Sequence, residues 1–401
     1  MAACAAVLAC AVTAGCSGSG GGAAGSTASA RPAATASSGT GSAGNDQPTT
    51  GTVAAACVAQ ALGNLSLAQR VGQLFIVGVS GDIAGPRTEA AEQTYHFGSL
   101  LLNVSSAGTA TLAARTAAMQ SLASASGTGG VKFFIAANQE GGKIQQLTGP
   151  GFVTMPSALE QGGWTASTLR QSATDWATEL RAAGVNLDLA PVMDVVPPGT
   201  AASNAPIGAL GREFGSDPAT SGTHGAAFIR GMADAGVETV AKHFPGLGRV
   251  TGNTDFTADV VDNVTTAGDP GLNSFRAAIS AGVAMVMVAL ATYTRIDASR
   301  LAVFSPVVMR LLRDQFGFGG VIVSDDLGEA QAVQNIPAGT RAIDFLNAGG
   351  DLVTSQDLGP AQEMAAAVLT KAQGSAAFRA TVDDAARRVL TAKQAAGLLP
   401  C

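Results

Sequence analysis

The chain has 401 residues, 47% of them hydrophobic and 13% charged, with a formal net charge of −6. That is enough apolar material for one large core or two ordinary ones, and barrels of this length occur as single domains. The acidic balance and the lack of a basic tract argue against nucleic acid as a partner. With aromatic residues at only 5%, a sugar site would have few stacking surfaces to draw on.

Residues 2–15 form an apolar run too short to span a bilayer as a mature helix. It holds Cys4 and Cys10 and ends at Thr13-Ala14-Gly15-Cys16, small residues before a cysteine, as at the end of a bacterial lipoprotein signal. It departs from that pattern at Thr13, where Leu is usual, and no Lys or Arg precedes the run. The expectation is that segment 1–16 directs export and that Cys16 carries a lipid. The protein would then be anchored to the cell membrane or lie in the cell wall or outside, touching membrane only through that lipid. Residues 17–53 are nearly all Gly, Ala, Ser and Thr, with Pro32 and Pro48 among them. Such a stretch buries too little surface to fold and reads as a tether. A folded domain is expected over 54–401.

Within it, apolar runs of strand length alternate with Ala-rich helical patterns. The strand runs are 74–79, 99–104, 132–138, 186–192, 237–244, 284–290, 320–326 and 351–356. Helical patterns fall at 111–123, 166–183, 221–235, 273–281, 306–316, 340–348 and 361–396. Continuous apolar strands between helices predict parallel strands buried on both faces. Eight such repeats predict an α/β fold of the (β/α)8 barrel type; an open doubly wound sheet is the alternative. Polar residues cluster after the strands: Asn138 and Glu140, Asp194, Lys242 and His243, Asp325 and Asp326, then Ser355, Gln356 and Asp357. In a barrel these carboxyl ends share one rim and one pocket.

The stretch 237–255, VETVAKHFPGLGRVTGNTD, is the centre of that pattern. Neighbouring strand residues point to opposite faces, so Lys242 and His243 are expected to converge only where the strand finishes. Rival motifs fare worse. Gly246, Gly248 and Gly252 lack the spacing of a dinucleotide loop, and no helix follows directly. His96, His224 and His243 have no metal-ligand spacing, so no metal or other cofactor is expected. No Gly-x-Ser-x-Gly elbow follows a strand.

The same stretch resembles the KHFPGHG signature of glycoside hydrolase family 3, in its single-domain β-N-acetylglucosaminidase branch. The resemblance extends in order to NQEGGKIQ (138–145), NLDLAPVMDV (186–195), GREFGSDP (211–218), YTRID (293–297) and GVIVSDDLG (320–328). It implies a retaining exo-glycosidase that removes terminal β-linked N-acetylglucosamine through a covalent intermediate on Asp325. A helix N-cap is the structural alternative for Asp325, although Asp326 fits that role better. The resemblance also makes Lys242, His243 and Arg212 hydrogen-bonding partners of the terminal sugar. Asn138 stands where aspartate is usual and Gln146 where arginine is frequent; both remain able to bind hydroxyls. In the branch, Asp-Ser-His follows the signature and its histidine is the acid/base. Here Asn253-Thr254-Asp255 takes its place, Leu247 replaces the second histidine of the signature, and Leu290 replaces another at the end of strand six. Asp255 is therefore the expected general acid/base, at a pKa raised by apolar burial, with Phe256 beside it, or by Asp325.

Multi-domain β-glucosidases of the family take a proton donor from a second domain, and with the last helical pattern running almost to Cys401 no such domain is expected here. That favours amino-sugar glycosides, including peptidoglycan fragments, over a β-glucosidase-like substrate. A catalytically weak cell-wall sugar-binding lipoprotein is the reading from another class. Cys57 and Cys401 lie at the two ends of the folded domain, and an exported protein is expected to join them in a disulfide. Two unrelated thiols are the alternative.

Overall fold

The computed structural model describes residues 50–79 and 85–401. The expected signal segment 1–16 with Cys16, and nearly all of the tether, lie outside the described residues. Eight strands form the barrel: β1 (Phe75–Val79), β2 (Ser99–Leu102), β3 (Phe134–Ala137), β4 (Leu187–Asp188), β5 (Glu238–Phe244), β6 (Met285–Val288), β7 (Val321–Asp326) and β8 (Leu352–Ser355). Each lies parallel to the next in chain order, and β1 closes the ring against β8 with Phe75 opposite Val353. The fold is thus a closed (β/α)8 barrel and the open sheet is excluded. Every residue of β1, β2, β3, β6 and β8 is buried. Barrel strands meet helices outside and packed side chains inside, so neither face tolerates polar alternation. At Gly78 a Cβ would lie 2.1 Å from the Gln356 carbonyl oxygen, so only glycine lets β1 pass the end of β8.

Several boundaries differ from the sequence expectation for identifiable reasons. The first helix, Thr50–Asn64, starts inside the stretch assigned to the tether. Its Ala-rich run forms helix readily and packs on the last helix, which composition alone did not register. The long pattern at 361–396 is two helices, Leu358–Gly374 and Ala376–Ala395. Ser375 separates them, its hydroxyl accepting the Phe378 amide hydrogen as an N-cap. The pattern at 306–316 begins as α-helix over Pro306–Arg310 and continues as π-helix over Leu311–Gln315. Strand four pairs regularly only at Leu187–Asp188, because Pro191 offers no amide hydrogen to a ladder.

The first helix of the described residues and the carboxyl-terminal segment meet at the amino-terminal face of the barrel. Cys57 and Cys401 are joined by a disulfide with their Cα atoms 5.8 Å apart, and the Leu398 carbonyl accepts from the Lys132 amide just before β3. Nearby, the fully buried Lys393 donates to Gln73 Oε1 (2.7 Å), the Gly98 carbonyl (2.6 Å) and the Lys132 carbonyl (3.0 Å). Among the described residues no helix is long and apolar enough to cross a membrane.

Candidate active site

At the opposite, carboxyl rim lies a cavity of about 270 Å³. Its lining includes Asn138, Gln146, Arg212, Lys242, His243, Asp255 and Asp325, so all seven sugar-site and catalytic residues expected from sequence converge there. They come from the ends of four strands and their loops, which only barrel closure brings together.

One wall is a buried ion network. Glu140, just past β3, accepts from Arg212 Nε and Nη2, each at 2.8 Å, and lies 2.7 Å from Lys242 Nζ. Burial pushes the Glu140 carboxyl upward, but the Arg212 and Lys242 charges and their hydrogen bonds outweigh it and hold the pKa at about 2. Lys242 also donates to Asn138 Oδ1 at 2.7 Å, and the Asn138 amide donates to Gln146 Oε1 at 3.2 Å. The side-chain amide nitrogens of both residues therefore remain for a ligand. Behind this wall the fully buried Asp188 accepts from the Gln139 amide at 3.0 Å. Its desolvation outweighs that bond and the Lys242 charge and lifts its pKa to about 7.

His243 forms the next wall. Its Nδ1 lies 2.8 Å from Asp194 Oδ2, and Asp194 Oδ1 accepts from the backbone amides of His243 (3.2 Å) and Leu247 (2.9 Å). Lys242 and His243 fall where β5 finishes, as expected: the strand ends at Phe244, the next residue. Its register against β6 shifts between Ala241 and Phe244, and the Lys242–His243 peptide bond is cis.

The loop after β5 carries Asp255, and nothing in its sequence announced how firmly it is held. A Cβ at Gly248 would lie 1.9 Å from the Val195 carbonyl oxygen, so the loop lies flat on the segment after β4. Asn204 Nδ2 donates to the carbonyls of Leu247 (2.8 Å) and Val250 (2.7 Å). Tyr293 Oη donates to the Gly246 carbonyl at 2.8 Å. Further on, the carbonyls of Thr254 and Asp255 accept from the amides of Ala332 and Gln331, both at 3.1 Å. Those two amides belong to the loop after β7, the strand that bears Asp325.

Asp325 is half-buried, and its Oδ1 accepts from the Asp326 amide at 2.9 Å. Asp326 turns away to accept from the amides of Gly328 (2.9 Å), Glu329 (3.2 Å) and Gln356 (3.0 Å). No α-helix starts at this point, since the next one is Ala338–Ala348, so the helix-cap reading of Asp325 lapses. Burial, reinforced by the charge on Asp325, raises Asp326 to about 6 despite those amides. The Asp255 residue is exposed, yet the surrounding protein partly desolvates its carboxyl. That desolvation and the Asp325 charge raise its pKa, against opposing pulls from His243, Arg212 and Lys242. Leu247, at one of the positions expected to be histidine, is a buried part of the cavity wall; Leu290, at the other, is fully buried.

Sequence reasoning named Glu140 and Asp194 as rim residues but gave them no partners. The signal was present: each is an acid within the same predicted pocket as two cations and a histidine. Which acid pairs with which base depends on loop paths that spacing does not encode.

Fold and site together define a (β/α)8 barrel with a small polar cavity, lined by carboxylates, at its carboxyl rim. The family model described as "Glycosyl hydrolase family 3 N terminal domain" matches residues 66–392, and the chain belongs to that family. It is similar to a beta-hexosaminidase of Vibrio cholerae serotype O1 (strain ATCC 39541), 35% identical over 233 residues, 55% of this chain and 64% of that protein. The match thus spans a little under two thirds of that relative's length. Beta-hexosaminidase LpqI of Mycobacterium tuberculosis (strain H37Rv) is 32% identical over 298 residues, 72% of either chain. Among solved structures, a beta-N-acetylhexosaminidase from Beutenbergia cavernae is 51% identical with a TM-score of 0.79, covering 82% of this chain and 98% of that one.

Proposed function

We propose that this protein is a retaining exo-β-N-acetylhexosaminidase using Asp325 as nucleophile and Asp255 as general acid/base. The observation that carries the reading is the meeting of these two carboxyls in one cavity, with the acidity of Asp255 weakened by desolvation and by Asp325. The cavity of about 270 Å³ is below the roughly 300 to 1,000 Å³ of pockets that take drug-sized ligands, which suits one sugar ring at a chain end. Relatives named as beta-hexosaminidases support N-acetylhexosamine as that ring.

In the first step the Asp325 carboxylate attacks the anomeric carbon while the glycosidic oxygen takes the proton of Asp255. The aglycone leaves as an alcohol, and the sugar is held as an ester on Asp325. Water then attacks the same carbon, passing a proton to Asp255 as the Asp325 carboxylate departs with its electron pair. Two inversions return the sugar to its original configuration. Arg212 and Lys242, pre-paired with Glu140, and His243, oriented by Asp194, are positioned to bind hydroxyls without rearrangement. Asn138 and Gln146 offer neutral amides beside them.

Export, with lipidation at Cys16, would place the enzyme where amino-sugar glycosides of the cell wall are available, and we propose peptidoglycan fragments as natural substrates. The alternative, a weakly active sugar-binding lipoprotein, is favoured by Leu247, Asn253 and Asp255 in place of the family's usual residues. Hydrolysis of a chromogenic N-acetylglucosaminide, with release of the β-anomer followed by NMR, tests the proposal. Binding without turnover would leave the alternative standing.

A further inference from the structure

Phe256 follows Asp255 directly and is the one exposed aromatic ring among the described residues, 81% accessible. The other aromatic side chains are buried or partly buried, and several pack on one another: Tyr95 stacks on Phe97, and Phe244 meets Phe275 edge-on. Phe256 has no ring partner among the described residues, yet it lines the cavity that holds Asp325. Its backbone is held: its own amide donates to the Asn253 carbonyl at 3.0 Å, and the preceding carbonyls of Thr254 and Asp255 are tied to Ala332 and Gln331. A large apolar ring kept in water on a fixed backbone gains by covering its face, and little ordering opposes that gain.

We infer that Phe256 is a stacking platform for the aglycone, selecting substrates in which a second pyranose ring follows the scissile bond. The inference rests on the glycosidase reading and deepens it. A ring next in sequence to the proposed proton donor stands beside the leaving oxygen, where the aglycone must emerge. The axial C–H groups on one face of a pyranose are electropositive and suit the electron-rich face of a phenyl ring. Gln356, exposed on the same rim, and Asn253, half-buried, offer amides to hydroxyls around the edge of such a ring. A simple alkyl aglycone would cover almost none of the phenyl face.

The test compares kcat/KM for the β-1,4-linked disaccharide of N-acetylglucosamine with that for methyl β-N-acetylglucosaminide in the wild type, Phe256→Ala and Phe256→Trp. The expected result is a loss on the disaccharide at least tenfold greater than on the methyl glycoside in Phe256→Ala, and recovery in Phe256→Trp. Equal losses on both substrates, or no loss on the disaccharide, would overturn the inference. Should the wild type hydrolyse neither, the glycosidase reading fails, and calorimetry on Asp325→Asn still decides the subsite. Binding of the disaccharide must then weaken at least tenfold on adding Phe256→Ala while binding of N-acetylglucosamine does not.

Discussion

The Asp255 carbonyl accepts a hydrogen bond from the Gln331 amide at 3.1 Å, tying the loop after β5 to the loop after β7. The two proposed catalytic carboxyls therefore sit on segments that hold one another in place. Glycosidases that retain configuration need their carboxyls roughly 5 to 5.5 Å apart, a tolerance that two independent loops would not keep.

For Asp325→Asn the expectation is a fall in turnover of about a thousandfold or more with the thermal midpoint almost unmoved. The side chain is half-buried, and asparagine keeps the oxygen that accepts from the Asp326 amide. A fluorinated N-acetylglucosamine that traps the glycosyl ester should label Asp325 on peptide mapping. Label on another residue, or a fully active variant, would sink the assignment.

Asp255→Ala should separate substrates by leaving group. An acid is needed when the departing oxygen is a poor leaving group, so an alkyl or sugar aglycone should lose activity far more than a nitrophenyl one. Azide should restore part of the turnover on the activated substrate. An acid must be protonated, so wild-type activity should decline as pH rises through the raised Asp255 pKa, and the variant should lack that limb. A pH profile unchanged by the substitution would remove Asp255 from the role.

Glu140→Gln leaves Arg212 and Lys242 without their buried counter-charge and should destabilise the fold by about 3 to 5 kcal/mol. In the wild type the Glu140 pKa is depressed from 4.5 to about 2. The native state then binds fewer protons than the unfolded chain across that window, so this contribution is full above pH 4.5 and lost as pH falls through 2. The gap between wild-type and variant urea midpoints should be narrower at pH 3 than at pH 7.

Lys393 gives the opposite pH signature at the other end of the barrel. Burial depresses its pKa from 10.5 to about 7, so its native form is penalised in acid and relieved as pH rises. Stability should climb between about pH 7 and 10.5 relative to Lys393→Met, with any difference below pH 7 constant. Parallel stability curves across that interval would show that its three oxygen partners keep it fully charged.

Replacing both Cys57 and Cys401 by serine releases a loop of 344 residues and should cost no more than about 5 kcal/mol. The bond lies at the amino-terminal face of the barrel, opposite the cavity, so kcat/KM at 25 °C should not change. A matching loss of activity in a still-folded variant would contradict that separation.

Eight apolar runs without alternation, separated by helical patterns, predicted parallel strands buried on both faces and pointed to a barrel over an open sheet; closure itself is seen in the pairing of β1 with β8. The order of polar residues after those runs likewise placed Asn138, Lys242, His243 and Asp325 on one rim, since strand direction is shared; Arg212, Gln146 and Asp255 were added by the family resemblance. What tertiary structure decided was pairing. Glu140 rather than Asp194 neutralises Arg212 and Lys242, Asp194 takes His243, and a loop that reads as free coil is fastened through Asn204, Tyr293, Ala332 and Gln331. The helix from Thr50 and the break at Ser375 were decided in the same way, by packing and capping contacts. Local sequence sets which face a residue lies on, through the period of the backbone. Which partner it meets is set by the paths of long loops, and those are determined by contacts between segments far apart in the chain.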